Sequence, residues 1–466
     1  MLKERLEEYF ARHRQEMVED ICRLVRIDSV KGEARPGQPF GPGPAAALEA
    51  ALEMARSMGF AAENRDGYVG TVDFGPGPRQ LDMLAHLDVV PVGDDWTVTA
   101  PFVPVEKDGM LYGRGTADDK GPAVAALYAM RAVKDLGIPL NKSVRLILGT
   151  DEESGSADIA YYYQRQTEAP MTFSPDADFP VINIEKGRAH GEFSAQWEAG
   201  NALPRLVSFH SGTRANVVPG LAEAVVAGMN PEIIHSAAQL VTAETGIAFD
   251  LTDGANETRI TAHGESAHGS TPMDGNNALT GLLTLLCRLP LAPDGATERV
   301  HALNELFPHG DWRGIAAGVD RHDDLSGDTT LACTVLHLED CKLRGEFDGR
   351  TAIGANQENT CDVLIDAMAE RGMELVCRHR PEHHVPADAP IVTELLKCYE
   401  QYTGQKGKPL AIGGGTYVHN LKNGVAFGCT MPGVDNRLHG ADEFAIVDDL
   451  ILSAQMFAQA IADLCG

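Results

Sequence analysis

Basic charge is in short supply in this 466-residue chain: 39 Lys and Arg stand against 67 Asp and Glu, a formal net charge of −28. Such a field repels nucleic acid and anionic membrane surfaces, so neither is expected as a partner. Cysteine is sparse and unpatterned. Nine are scattered from Cys22 to Cys465 without a Cys-x-x-Cys pair. This argues against a disulfide framework and against a thiolate zinc site, and predicts reduced thiols in a cytoplasm. No apolar run approaches the roughly 18–20 residues of a membrane span. The opening segment, MLKERLEEYFARHRQEMVEDICRLV, is a charged amphipathic helix lacking the apolar centre of a signal peptide. Internal repeats and low-complexity tracts are missing too. The expectation is a soluble, cytoplasmic protein.

Hydrophobic residues at 44% and charged residues at 23% are ordinary for a globular enzyme. The length exceeds one compact core, so two domains are expected. Early on, helical spacing in GPAAALEAALEMARSMGF and GPAVAALYAMRAVKDLG alternates with short apolar strands, QLDMLAHLDVVP and SVRLILGTDE. From about residue 184 the texture changes to strands with loops plus two long helices, NALTGLLTLLCRL and ENTCDVLIDAMAERG. The fold class read from this is α/β: a catalytic domain of mixed sheet flanked by helices (1–183 and 383–466), interrupted by an inserted α+β lid (184–382). The Pro-rich stretch RPEHHVPADAP marks the return crossing, with His383 and His384 read as exposed linker residues.

Chemistry-bearing residues gather at predicted strand ends and turns. AHLDVVP offers His86 and Asp88; GRGTADDKGP offers Asp118 and Asp119; GTDEESG offers Glu152 and Glu153. SPDADFP adds Asp176 and Asp178, and RLHGADEF adds His439. Imidazoles and carboxylates without thiolates suit zinc, cobalt or manganese in a hydrolytic site. In α/β folds the carboxyl ends of strands are where ligands bind.

HLDVVPVGDDW, YGRGTADDKGP and GTDEESG resemble the co-catalytic zinc peptidases of clan MH. PDADFP, AHGSTP and IGGGTYVHN resemble their PepV-type bacterial dipeptidase branch, whose relatives include carnosinases and acetylornithine deacetylases. The resemblance implies two divalent metal ions, zinc first, with cobalt or manganese as substitutes. It assigns His86 and Asp176 to one metal, Glu153 and His439 to the other, and Asp118 as the bridge. Asp88 would orient the His86 imidazole, and Asp119 is the weaker ligand candidate. Glu152 would be the general base and His268 the oxyanion donor. Asn216, Arg350, Gly415 and Thr416 would recognise the substrate carboxylate. The implied activity is hydrolysis of dipeptides by a monomer, through a water bridging two metals and with closure of the inserted lid. N-acyl-amino-acid deacylase and a silent peptide-binding relative are the competing readings. Where many relatives have Gln after the last His this chain has Gly440, and after GGGTY it has Val418 and His419.

Overall fold

The computed structural model describes residues 1–466, which divide into two compact units. The first comprises Met1–Ile184, His383–Leu410 and Gly415–Gly466; the second comprises Glu185–Glu382 with Ala411–Gly414. The architecture is two-domain α/β, a large mixed sheet flanked by helices with a sheet-and-helix subdomain inserted in the chain.

In the first unit the strand Arg79–His86 lies between Ser143–Gly149 and Met171–Ser174, parallel to both. Its last six residues are all buried, as a strand covered on both faces requires. Outer strands such as Ala61–Arg65 and Val69–Phe74 run antiparallel and make the sheet mixed. The helices Leu2–Val25, Lys120–Asp135 and Val447–Cys465 join the sheet in one core that includes Phe10, Tyr128, Phe173 and Phe457. Lys120–Asp135 is buried on nearly every side, which explains its Ala-rich sequence. The three parallel strands end together, and their carboxyl ends lead into Leu87–Asp88, the turn at 151–154 and Asp176.

The second unit is an eight-stranded antiparallel sheet, with Ala248–Asp253 at one edge and Glu374–Arg380 at the other. Alternating burial along Gly187–Gln196 and Glu257–His263 sends one face to the core and leaves the other polar. Four helices supply that core, among them Ala278–Arg288 with six buried leucines and alanines. Asn230, Asn277 and Asp294 cap three of them through side-chain oxygens.

Two sequence expectations are corrected. Cys361 and Cys377 are joined in a disulfide rather than held as thiols. The turn ending at Cys361 and the edge strand carrying Cys377 pack together, so their spacing in sequence carried no signal. His383 is not an exposed linker residue. It is buried in the first unit, with Nε2 2.6 Å from the Gly424 carbonyl oxygen, while His384 is exposed. The sheet continues past the prolines by a two-residue strand, His383–His384.

Candidate metal centre

Asp118 stands at the middle of the cluster. Its Oδ1 lies 2.9 Å from His86 Nε2 and its Oδ2 lies 3.0 Å from His439 Nε2. On the first side Asp176 Oδ2 is 3.5 Å from the same His86 nitrogen; on the second Glu153 Oε1 is 3.3 Å from His439 Nε2. His86, Asp118 and Glu153 can each point a ligand atom to within 4.8 Å of the others. All five metal-ligand candidates are therefore drawn to one place, in two groups that share an aspartate. Asp178 is exposed and takes no part in these pairs.

The local sequence explains each position. His86 is the last residue of its strand and completely buried. Its Nδ1 faces the backbone carbonyl of Asp88 at 3.0 Å, while the Asp88 carboxylate is 3.5 Å away. That carboxylate instead accepts from the amides of Glu152 and Glu153, both at 3.1 Å. Asp88 thus fixes the turn bearing both glutamates, whose successive side chains leave the backbone in different directions. Asp119 Oδ2 accepts the His86 amide at 2.9 Å and so steadies the end of that strand.

Several supports escaped the sequence reading. Glu443 Oε1 accepts from the amides of Gly115, Ala117 and Asp118 at 2.9, 3.1 and 3.3 Å, and Oε2 pairs with Arg114 Nη1 at 2.6 Å. Arg114 Nη2 also reaches the Gly440 carbonyl at 3.0 Å. The loops bearing Asp118 and His439 are tied by this buried pair. Asp158 accepts from the Thr150 and Asp151 amides and from the Tyr417 hydroxyl, bracing the turn from behind. Position beside known motifs (Glu443 in HGADE, Tyr417 in GGGTY) was the only available signal.

The electrostatics describe a site short of positive charge. Burial pushes Glu153 up to about 7, with Asp118 adding to it. Burial also holds Glu152 well above the usual carboxylate range and raises Asp176. His439 is pushed up to about 11 by Asp118 and Glu153. Burial alone would pull His86 down, but Asp118, Asp176 and Asp88 together hold it well above its ordinary value. Burial thus makes Glu152, Glu153 and Asp176 cling to protons, while against the pull of burial the imidazoles of His439 and His86 hold Asp118 below the usual carboxylate range. Such crowded carboxylates gain from a dication what desolvation takes from them. His86 Nε2 is buried without a well-formed hydrogen bond, as suits a ligand atom. Donor chemistry and crowding therefore fit divalent metal.

The second unit gathers its own candidates. Val217, next to Asn216, pairs with His268 across two short strands, and the Asn216 carbonyl accepts the Gly269 amide at 2.7 Å. The amide of Ser270 donates to His268 Nδ1 at 3.2 Å, so in a neutral ring the proton sits on Nε2. Arg350 donates to buried Asp348 at 2.8 Å and to the Gly413 carbonyl. In the first unit Gly415 is exposed, and Thr416 caps the turn Tyr417–Asn420 by accepting the Val418 amide.

Comparison with known proteins gives the family and the fold. The family model for Peptidase family M20/M25/M40 matches residues 83–463. A putative dipeptidase, YtjP, of Bacillus subtilis (strain 168) is 38% identical over 459 residues, covering 97% of this chain and 98% of its own. The Beta-Ala-Xaa dipeptidase of Lactobacillus delbrueckii subsp. lactis is 34% identical, with 96% of each chain covered. The crystal structure of human carnosine dipeptidase 1 shares the fold at a TM-score of 0.62 and 17% identity, over 100% of this chain and 99% of its own. No helix here is long and apolar enough to cross a membrane. With a His–Asp–Glu metal cluster at the carboxyl ends of its parallel strands, the chain belongs to peptidase family M20/M25/M40 and is a metal-dependent hydrolase of peptide or amide bonds.

Proposed function

We propose that the protein is a dipeptidase using two divalent ions, zinc in the first instance. His86 and Asp176 would hold one ion, Glu153 and His439 the other, and Asp118 both. The observation that carries this reading is the division of Asp118, one oxygen toward each imidazole at 2.9 and 3.0 Å. When bound, the ions supply Lewis acidity and make a water acidic enough to be deprotonated near neutral pH. Glu152 is the base. Its carboxylate is held near the cluster with a raised proton affinity caused first by burial, which suits it to take the water's proton and hand it to the departing amine. His268, with its proton on Nε2, is the donor offered to the developing oxyanion. Arg350 and Asn216 recognise the free carboxylate. The names of the two sequence relatives, a putative dipeptidase and a Beta-Ala-Xaa dipeptidase, support a peptide substrate.

Assaying Ala-Ala, β-Ala-His and acetylated amino acids side by side on zinc-reconstituted protein tests the reading. Cleavage of the dipeptides is the expected result. Preference for the acetylated compounds would make the protein an N-acyl-amino-acid deacylase, and binding without turnover would make it a silent relative.

A further inference from the structure

A row of arginines crosses the edge of the second unit's sheet. Arg350 is the register partner of Arg188, and Arg188 is in turn the partner of Arg380 on the edge strand. Residues directly opposite on neighbouring strands project from the same face. Like charges so placed repel and destabilise a sheet. In a chain with a net charge of −28 the arrangement is the more conspicuous, because nothing in the composition makes arginine clusters common.

Asp348 organises the row. It is fully buried and gives one oxygen to Arg188 Nε at 2.9 Å and the other to Arg350 Nε at 2.8 Å. Two guanidiniums on one carboxylate leave a positive charge over. Arg350 has little freedom, being 8% exposed and also held by the Gly413 carbonyl. Arg188 is 40% exposed, and its two Nη groups make no hydrogen bond within the chain. The strand pair thus presents two forks aimed by the same anchor, one enclosed and one open. The loop bearing His268 runs against that anchor: a Cβ added to Gly269 would come within 2.6 Å of Asp348 Oδ2 and 3.1 Å of Asn216. Arg188 therefore belongs with Asn216, His268 and Arg350 in a single constellation.

We propose that Arg188 is a specificity-determining residue that binds a second, side-chain carboxylate, so that the enzyme favours dipeptides ending in Asp or Glu. The inference rests on the dipeptidase reading, in which Arg350 takes the main-chain carboxylate. The two acid groups of one acidic residue are a short carbon chain apart, as are two forks gripping opposite oxygens of Asp348. An acidic peptide approaching a protein of this charge meets net repulsion, which a local pair of forks reverses.

The test uses the full chain in two states. On zinc-reconstituted protein, kcat/KM is measured for Ala-Glu against Ala-Gln, and for Ala-Asp against Ala-Asn, in wild type, R188Q and R188K. Wild type is expected to favour the acidic member of each pair. In R188Q that ratio should fall at least tenfold through KM, the loss of about one charge-assisted hydrogen-bonded pair, with R188K intermediate because it keeps charge without the fork. On metal-free protein, glutarate is titrated by thermal shift, and R188Q should bind it at least tenfold more weakly than wild type. An equal loss for acidic and neutral peptides, or glutarate binding unchanged in R188Q, overturns the proposal. If no dipeptide is cleaved, the dipeptidase reading fails, and the glutarate titration still decides for or against the subsite.

Discussion

Glu443 offers the most demanding perturbation outside the ligands themselves. Its carboxylate takes three backbone amides and the Arg114 guanidinium, and both side chains are essentially inaccessible, at 0 and 1% exposure. Replacing it with leucine, E443L, keeps the volume and removes every acceptor. Orphaning buried amides costs about 1–3 kcal/mol each, and leaving a buried cation unpaired costs about 3–5 kcal/mol. These terms overlap because the loop can relax, so about 4–6 kcal/mol is the expected loss, a large part of a typical domain's stability. E443Q should lose less. Its amide oxygen still accepts from the three N–H groups, and burial, which pushes the Glu443 carboxyl up to about 7, no longer penalises a charge. Adding R114M to E443Q should recover part of the loss by removing the stranded cation. Urea unfolding at pH 8 in chelator measures stability, and competition with a chromophoric chelator measures zinc affinity. Affinity should fall at least tenfold in E443L, since Asp118 loses the anchor of its loop. If E443L unfolds within about 1 kcal/mol of wild type and binds zinc equally well, the tie between the two loops does not have the assigned role.

Glu152 and Glu153 should separate cleanly: E152A keeps bound zinc by elemental analysis but loses most turnover, whereas E153A loses zinc, and the reverse pattern would mean their roles are exchanged. Asp82, fully buried on the strand Arg79–His86 and 3.3 Å from Arg79 Nε, is pushed up to about 6 chiefly by burial. Since the folded chain then holds a proton more tightly than the unfolded one, stability falls as pH rises from about 4 through about 6 and stays lower above. D82N should therefore stabilise by about 1–3 kcal/mol at pH 8 and by little at pH 4, and a gain independent of pH would refute the cause given.

His86, Glu153 and Asp176 were legible as candidates because they end or closely follow apolar strands that turn polar, as in AHLD or LGTDEE, whereas Asp118 and His439 lie in turns and stood out by their motifs. Strand ends are short, and burying acids there has few explanations besides charge compensation. What completes the site was not legible for a different reason. Arg114 and Glu443 lie 329 residues apart, and a pair made across such a separation leaves no local pattern. Asp348 likewise looks like an exposed strand acid until the register sets Arg188 beside Arg350. His383 misled because prolines usually mark exposed chain, while here the backbone pairs at the sheet edge and buries its ring, leaving only His384 exposed as expected. The Cys361–Cys377 bond was hidden by composition, since an odd count with irregular spacing looks unpaired. Helix Lys120–Asp135, by contrast, could be read in full from its small apolar residues.

The central claim is that Asp118 serves two metals at once. Anomalous diffraction at the zinc edge, from crystals of the reconstituted protein, tests it most directly. Two peaks about 3.5–4 Å apart, one beside His86 and Asp176 and the other beside Glu153 and His439, are the predicted result. A single peak at full zinc loading, or peaks away from Asp118, would contradict it.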